Sequence, residues 1–269
     1  MNAGALIGRA MFGFYFAAFF LYLFAPLAIM GAATFNTSRF PTVTPWQGTT
    51  LQWFSALAAD GAMWQALWTS ILVACLVVIV ALPIGTAAAL LLTSLHARAR
   101  GFAYGLMVSP LLTPGVVIGI ATLVLWRQLG VGGGLFLIVV AQASFIVSYV
   151  MLMVAARLQR FDRTQEEAAL GLGASKFMVF RRVLLPFLKP ALIAAALLAT
   201  LQSIENYNTT LFVRGFDTPL TVHIATQVRT GLTPAVNALA LIMIAVTILG
   251  AVGYEIARRS RSKPAMSEG

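Results

Sequence analysis

Apolar residues run along this chain in six long stretches, at about 11–33, 64–92, 103–126, 134–156, 188–212 and 236–256, with short polar or basic segments between them. A helix rises ~1.5 Å per residue, so ~20 apolar residues cross the hydrocarbon core of a bilayer. The pattern predicts an all-α integral membrane protein with six transmembrane helices in a single domain over 1–269. Arg9 ahead of the first stretch resembles the start of a signal peptide, whose apolar region is only about 7–15 residues long. The first stretch is longer and reads as a retained span.

Composition and charge sharpen this picture. Of 269 residues, 10% are charged, against about 25% in soluble domains. Fourteen of the 18 Lys and Arg residues fall on one side of a six-span topology, among them Arg98, Arg100, Arg157, Arg163, Lys176, Arg181, Arg182 and Arg258. Only Arg39, Arg127, Arg214 and Arg229 fall on the other. Basic residues stay in the cytoplasm, which predicts a multi-pass protein with both termini there. The positive charge suits anionic lipid headgroups. It is strung along span ends rather than gathered on one soluble face, which argues against nucleic acid as a partner.

Candidate catalytic chemistry is sparse. His96 and His223 belong to opposite sides, Cys75 stands alone within the second stretch as a packing residue, and no HExxH, CxxC, GxSxG or GxxxxGK[ST] pattern occurs. The expectation is a chain with no catalytic residues and no metal site. Two outer segments, Thr34 to Ala62 and Val213 to Ala235, have length enough to meet a partner; Pro41, Pro45 and Gly48 break regular structure in the first. Pro83 with Gly85, and Pro110 with Pro114, are placed to bend the second and third spans or to aid packing. Trp64, Trp126 and Tyr149 read as interface anchors or packing residues.

One segment is out of keeping with its greasy flanks: EEAALGLGASKFMVFRRVLLP, Glu166 to Pro186, within a predicted loop 157–187. Thr164 with Glu167 three residues on fits a capping box, and the two acids suit the positive end of a helix dipole. The helix is expected to stop near Gly173, a residue that tolerates the left-handed conformation. Ser175 is placed to cap a second helix with Phe177, Phe180 and Leu184 on one face. Pro186 then sits in the first turn of the fifth span or marks the bend into it. Ala168, Ala169, Gly171, Gly173 and Ala174 leave the first helix nearly bare. These residues suit either a helix gripped in another protein's cleft or an amphipathic loop lying on headgroups.

The same residues resemble the EAA motif of ABC-importer permeases: E-A-A, three residues, G, nine residues, then I-x-L-P. Glu167-Ala168-Ala169 is followed by Gly173 and then Val183-Leu184-Leu185-Pro186, with Val in place of Ile. FNTSRF (Phe35 to Phe40), WQG (Trp46 to Gly48), HARARG (His96 to Gly101), VSP (Val108 to Pro110), LFVRG (Leu211 to Gly215) and NALA (Asn237 to Ala240) extend the likeness over most of the chain. They are similar to the spermidine/putrescine-type permeases, in particular to the shorter of the two paired subunits. The resemblance implies a type I importer permease (MetI-like) fold. It also implies a second permease subunit, two ATP-binding subunits that hold ATP and Mg, and a periplasmic substrate-binding protein. Glu166, Glu167, Ala168, Ala169, Gly171, Gly173, Ala174 and Ser175 would then form the coupling helix that docks on the ATPase.

An ionisable group at membrane depth is costly, about 2.5–3.5 kcal/mol on insertion scales. Glu205, in LQSIENYNTTLF, is therefore the leading candidate for the substrate pathway, with Ser203, Asn206 and Asn208 beside it. A carboxylate there attracts an ammonium group, and the amides offer donors and acceptors. A structural ion pair or a carboxylate at the outer interface is the other possibility. Spermidine-type relatives resemble S-x-D-D here, where this chain has Ser203-Ile204-Glu205-Asn206. They can carry Asp after Ser-Pro, where this chain has Leu111. Fewer acids fit a polyamine less well and make a monoamine or zwitterion credible. A secondary transporter would carry repeats and its own ion site. A membrane enzyme would need converging titratable groups, and neither pattern is present.

Overall fold

The computed structural model describes residues 3–231 and 233–261. In chain order the helices are α1 (Ala3–Thr34), α2 (Gln52–Ala59), α3 (Gly61–Ser94), α4 (Ala97–Leu112), α5 (Gly115–Gln128) and α6 (Leu135–Leu158). There follow α7 (Thr164–Gly171), α8 (Lys176–Val179), a π-helical turn at Phe180–Leu184, α9 (Leu185–Ile204), α10 (Thr210–Val213), α11 (Leu220–Thr230) and α12 (Pro234–Arg261). Among the described residues there is no strand, only an isolated bridge between Asn36 and Thr49.

Five helical stretches among the described residues are long and apolar enough to cross a membrane, and counting the bent pair α4–α5 as one span gives six. Five to six spans agree with the hydropathy pattern, but two of the expected stretches are not the straight rods it predicts. The third, 103–126, is two helices bent by 101° at Thr113-Pro114. Proline has no N–H to give the preceding turn and disfavours helical geometry in the residue before it. The fifth, 188–212, ends as a helix at Ile204; residues 205–209 leave the helix before α10 resumes. In the second span Pro83 lies inside an uninterrupted α3.

The chain forms two compact units, 1–61 with 226–269, and 62–225. In the first, α12 packs against both α1 and α2. Most of α1 is exposed and carries an aromatic ladder in which Phe16, Phe20 and Phe24 follow one another at helical spacing, centroids 6.3 and 6.2 Å apart. The segment after α1 is organised by Asn36, which is fully buried. Its Oδ1 accepts from the Gln47 N–H, its Nδ2 donates to the carbonyls of Thr42 and Pro45, and its own carbonyl accepts from Trp53 Nε1 at 2.7 Å. One side-chain amide thus replaces the missing backbone ladder of a Pro-rich segment. That segment also contains helix α2, and the second outer segment contains α11.

The core of the second unit lies between α3, α6 and α9, around Val77, Ala81, Ile146, Val150, Met151, Leu188 and Ala195. Small residues let the helices approach, as they do wherever apolar attraction between spans is weak. A Cβ on Gly85 would stand 2.6 Å from Cβ of Val150, so the contact of α3 with α6 requires glycine there. Cys75 is exposed, contrary to the packing role expected of it; it falls on the face of α3 that the core does not use.

Candidate functional site: a cavity at two helix breaks and a helical loop beneath α9

The loop 159–175 forms by local chemistry, with one change from expectation. Asp162, not Thr164, caps α7: its Oδ1 accepts the Thr164 N–H at 3.0 Å. Hydrogen bonds from the side chain and backbone of Thr164 hold the Asp162 carboxyl below its ordinary range. Two positions upstream of Thr164, Asp162 reaches an N–H that would otherwise lack an acceptor. α7 ends at Gly171, and Gly173, two residues on and near the predicted stop, takes the left-handed conformation with φ +84°. The Gly173 N–H reaches Leu170 O and the Ala174 N–H reaches Ala169 O, the paired bonds of a Schellman motif.

Ser175 caps the next helix, its Oγ accepting from the Met178 N–H at 3.2 Å. From Lys176 to Ile204 the chain then forms one helical stretch, through the π turn and past Pro186 in the first turn of α9. The π turn disrupts the expected apolar face. Its wider turn rotates the residues before it relative to those after it; Phe177 is 71% exposed while Phe180 and Leu184 are half-buried. Of the eight residues proposed for coupling, Glu166, Ala169 and Ala174 are half-buried, and Glu167, Ala168, Gly171, Gly173 and Ser175 are exposed. A Cβ on Gly171 would meet nothing within 4 Å.

The far end of α9 opens on a cavity of about 270 Å³ where the two helix breaks meet. Pro110, Leu111, Thr113 and Gly115 line it from the break in α4–α5, and Glu205 to Thr209 from the break after α9. Close approach makes the junction: a Cβ on Gly119 would stand 2.6 Å from Thr209 O, and one on Gly115 would stand 2.9 Å from Thr209 Oγ1.

The polar residues expected here divide into two roles. Ser203 is buried and turned away from the cavity; its Oγ donates to Gln142 Oε1 at 2.5 Å. Gln142 Nε2 donates to Thr210 Oγ1 at 2.8 Å, and Thr210 Oγ1 donates to Asn206 Oδ1 at 3.0 Å. This relay ties side chains on the two sides of the break, where Asn206 Oδ1 also accepts the Thr210 N–H at 3.2 Å. Asn206 lines the cavity with its oxygen already engaged. Glu205 and Asn208 line it and are exposed, and among the described residues Glu205 makes no ion pair.

Several wall residues carry no clear signal in the sequence. Phe145 and Tyr149 lie four apart on one face of α6 and line the cavity, with Gln142 three residues before Phe145. Gln202 stands one turn before Glu205. A glutamine in the fourth stretch, whose other small polar residues are Ser144 and Ser148, is the one signal that could have pointed to Gln142.

Broken spans closing on a polar, carboxylate-bearing cavity, with a capped helical loop continuous with one of those spans, define a membrane permease. The chain belongs to the family described as binding-protein-dependent transport system inner membrane components, whose sequence profile matches residues 81–263. It is 31% identical over 259 residues to the spermidine/putrescine transport system permease protein PotC of Escherichia coli (strain K12), covering 96% of this chain and 97% of that one. It is 33% identical over 254 residues to the putrescine transport system permease protein PotI of the same organism, covering 91% and 89%. Among solved structures, a bacterial ABC transporter involved in import of the acidic polysaccharide alginate shares the fold, with a TM-score of 0.74 over 96% of this chain and 98% of that one at 15% identity.

Proposed function

We propose that this chain is the permease subunit of an ATP-driven importer for polyamines or related small organic amines, and that Glu205 attracts the ammonium group. The observation that carries this reading is a carboxylate with no ion pair among the described residues, in a cavity also walled by Phe145, Tyr149 and Tyr207. Aromatic faces attract cations through their quadrupoles, by roughly 2 kcal/mol or more when water is excluded. About 270 Å³ is at the small end of ligand sites, which begin near ~300 Å³, and suits a small solute. The names of PotC and PotI point to the same solute class.

In this reading Glu166 to Ser175 dock on a separate ATP-binding subunit, present in two copies, which supplies ATP and Mg; the permease itself catalyses nothing. A second permease subunit completes the pathway, a periplasmic binding protein delivers solute, and both termini face the cytoplasm. The continuous helical stretch from Lys176 to Ile204 supports such coupling. At ~1.5 Å per residue, its 29 residues reach about 43 Å from the loop to the cavity.

A second reading, a zwitterion or monoamine, is favoured by Leu111 and Asn206 in the wall, where Glu205 is the one carboxylate among the described residues. Uptake of labelled putrescine and spermidine by cells carrying the complete importer, with Glu205→Gln beside the parent, tests the first reading. Polyamine uptake that disappears in the variant supports it; uptake unchanged by Glu205→Gln removes Glu205 from the pathway.

A further inference from the structure

The cavity has a second pole opposite in character to Glu205. α5 starts in its wall after the 101° break. The N–H groups of Val117 and Ile118 turn back to Pro114 O, while those of Gly115 and Val116 have no backbone acceptor among the described residues. A helix of 14 residues carries roughly half a positive charge at such an end.

Thr209 makes this helix end more than an ordinary terminus. The residue is 0% exposed, it lines the cavity, and among the described residues its Oγ1 has no hydrogen-bond partner. That oxygen lies 2.9 Å from where a Cβ on Gly115 would stand, beside the open N–H groups. Buried hydroxyls almost always have partners, and the adjacent Thr210 is fully engaged with Gln142 and Asn206. Asn208, exposed in the same wall, adds a side-chain amide. Donors gathered at a helix N-terminus in a broken span match an anionic group of a solute.

We propose that the cavity binds a zwitterionic amine, with its ammonium at Glu205 and the aromatic wall and its carboxylate at the start of α5, where Thr209 Oγ1 donates to it. This narrows the solute class and rests on the reading of the cavity as the solute pathway. The volume is roughly nine times the ~30 Å³ share of a water molecule, room for a small ω-amino carboxylate.

The test is equilibrium binding to the complete permease–ATPase complex in lipid nanodiscs, without the binding protein, whose own selectivity would mask that of the permease. The probes are 4-aminobutanoate, 1,4-diaminobutane and butanoate. The expected result is that 4-aminobutanoate binds best of the three. Glu205→Gln and Thr209→Val should each weaken it about tenfold or more, the scale of a lost charge-assisted hydrogen bond. Thr209→Ser, which keeps the hydroxyl, should retain binding. Thr209→Val should affect 1,4-diaminobutane far less, and it should not lower the melting temperature, because the hydroxyl has no partner to lose. Glu205-dependent binding of 1,4-diaminobutane in preference to 4-aminobutanoate, indifferent to Thr209→Val, overturns the second pole and leaves the amine-permease reading intact. Absence of any Glu205-dependent binding overturns both.

Discussion

Ser203 on α9 and Gln142 on α6, 61 positions apart in sequence, share a buried hydrogen bond of 2.5 Å that ties the last turn of one span to the middle of another. Gln142 extends the tie to Thr210, beyond the break. The cavity therefore depends on a residue that does not line it. Gln142→Leu removes both bonds and leaves Ser203 with a buried, unpaired hydroxyl. A loss of about 1–3 kcal/mol is expected, read as a lower melting temperature of the purified complex. An unchanged melting temperature would show that the relay does not hold the break.

Helix approach gives a paired prediction. Gly85→Ala forces a Cβ to within 2.6 Å of Val150 and 2.9 Å of the carbonyl of Val147, a backbone atom that cannot step aside. Overpacking of this kind costs about 1–3 kcal/mol. Gly105→Ala on α4, where a Cβ meets nothing within 4 Å, is expected to be neutral or to stabilise by up to ~1 kcal/mol. Denaturation midpoints of the two variants should move apart, and equal shifts would contradict the assigned contact.

The elbow at Gly173 separates folding from coupling. Gly173→Asp puts a side chain on a backbone at φ +84°, a strain of roughly 1–2 kcal/mol, and adds a carboxylate to the bare surface. The expected outcome is a chain that still inserts in the membrane but no longer copurifies with, or is driven by, its ATPase. Normal uptake by this variant would refute the docking assignment.

Gly171→Ala addresses bareness alone. The substitution meets no atom within 4 Å and raises helix propensity by ~1 kcal/mol, so α7 itself should gain stability. If the surface must be bare for a partner's backbone to approach, ATPase copurification falls nonetheless. Full copurification would show that α7 tolerates a methyl group at its interface.

Acid should loosen the start of α7 late. The Asp162 carboxyl is depressed below 3.8 by its bonds to Thr164, so the capping contribution is present above that value. It is lost only as the pH falls through the still lower folded value. Amide exchange at residues 164–167 should therefore show the same opening equilibrium between pH 5 and 8, with fraying confined to pH below 3.8. Asp162→Asn keeps a neutral acceptor and should remove the acid transition. A transition centred between pH 5 and 8 would exclude Asp162 as its cause.

The sequence by itself determined the properties set within one or two turns of chain. Span number follows from apolar length against bilayer thickness. The left-handed turn at Gly173 after α7 and the cap at Ser175 follow from backbone freedom and hydroxyl reach, and both stand in the structure. Even here a neighbour prevailed once: Asp162, with a charged and better-placed acceptor, took the cap that Thr164 was expected to provide.

Only the tertiary structure decided where spans break and which polar residues face inward. Hydropathy sums transfer energies along the chain and cannot tell a helix from an apolar segment whose open carbonyls and N–H groups are satisfied elsewhere. The break after Ile204 is stabilised by Gln142, 68 positions from Thr210, and it meets the other break because glycines at 115 and 119 admit Thr209. Around that junction Ser203 is a tie to Gln142, while Tyr149 and Glu205 line the space between the breaks. Partners that distant are chosen by packing in three dimensions, so no local pattern in the chain could announce them.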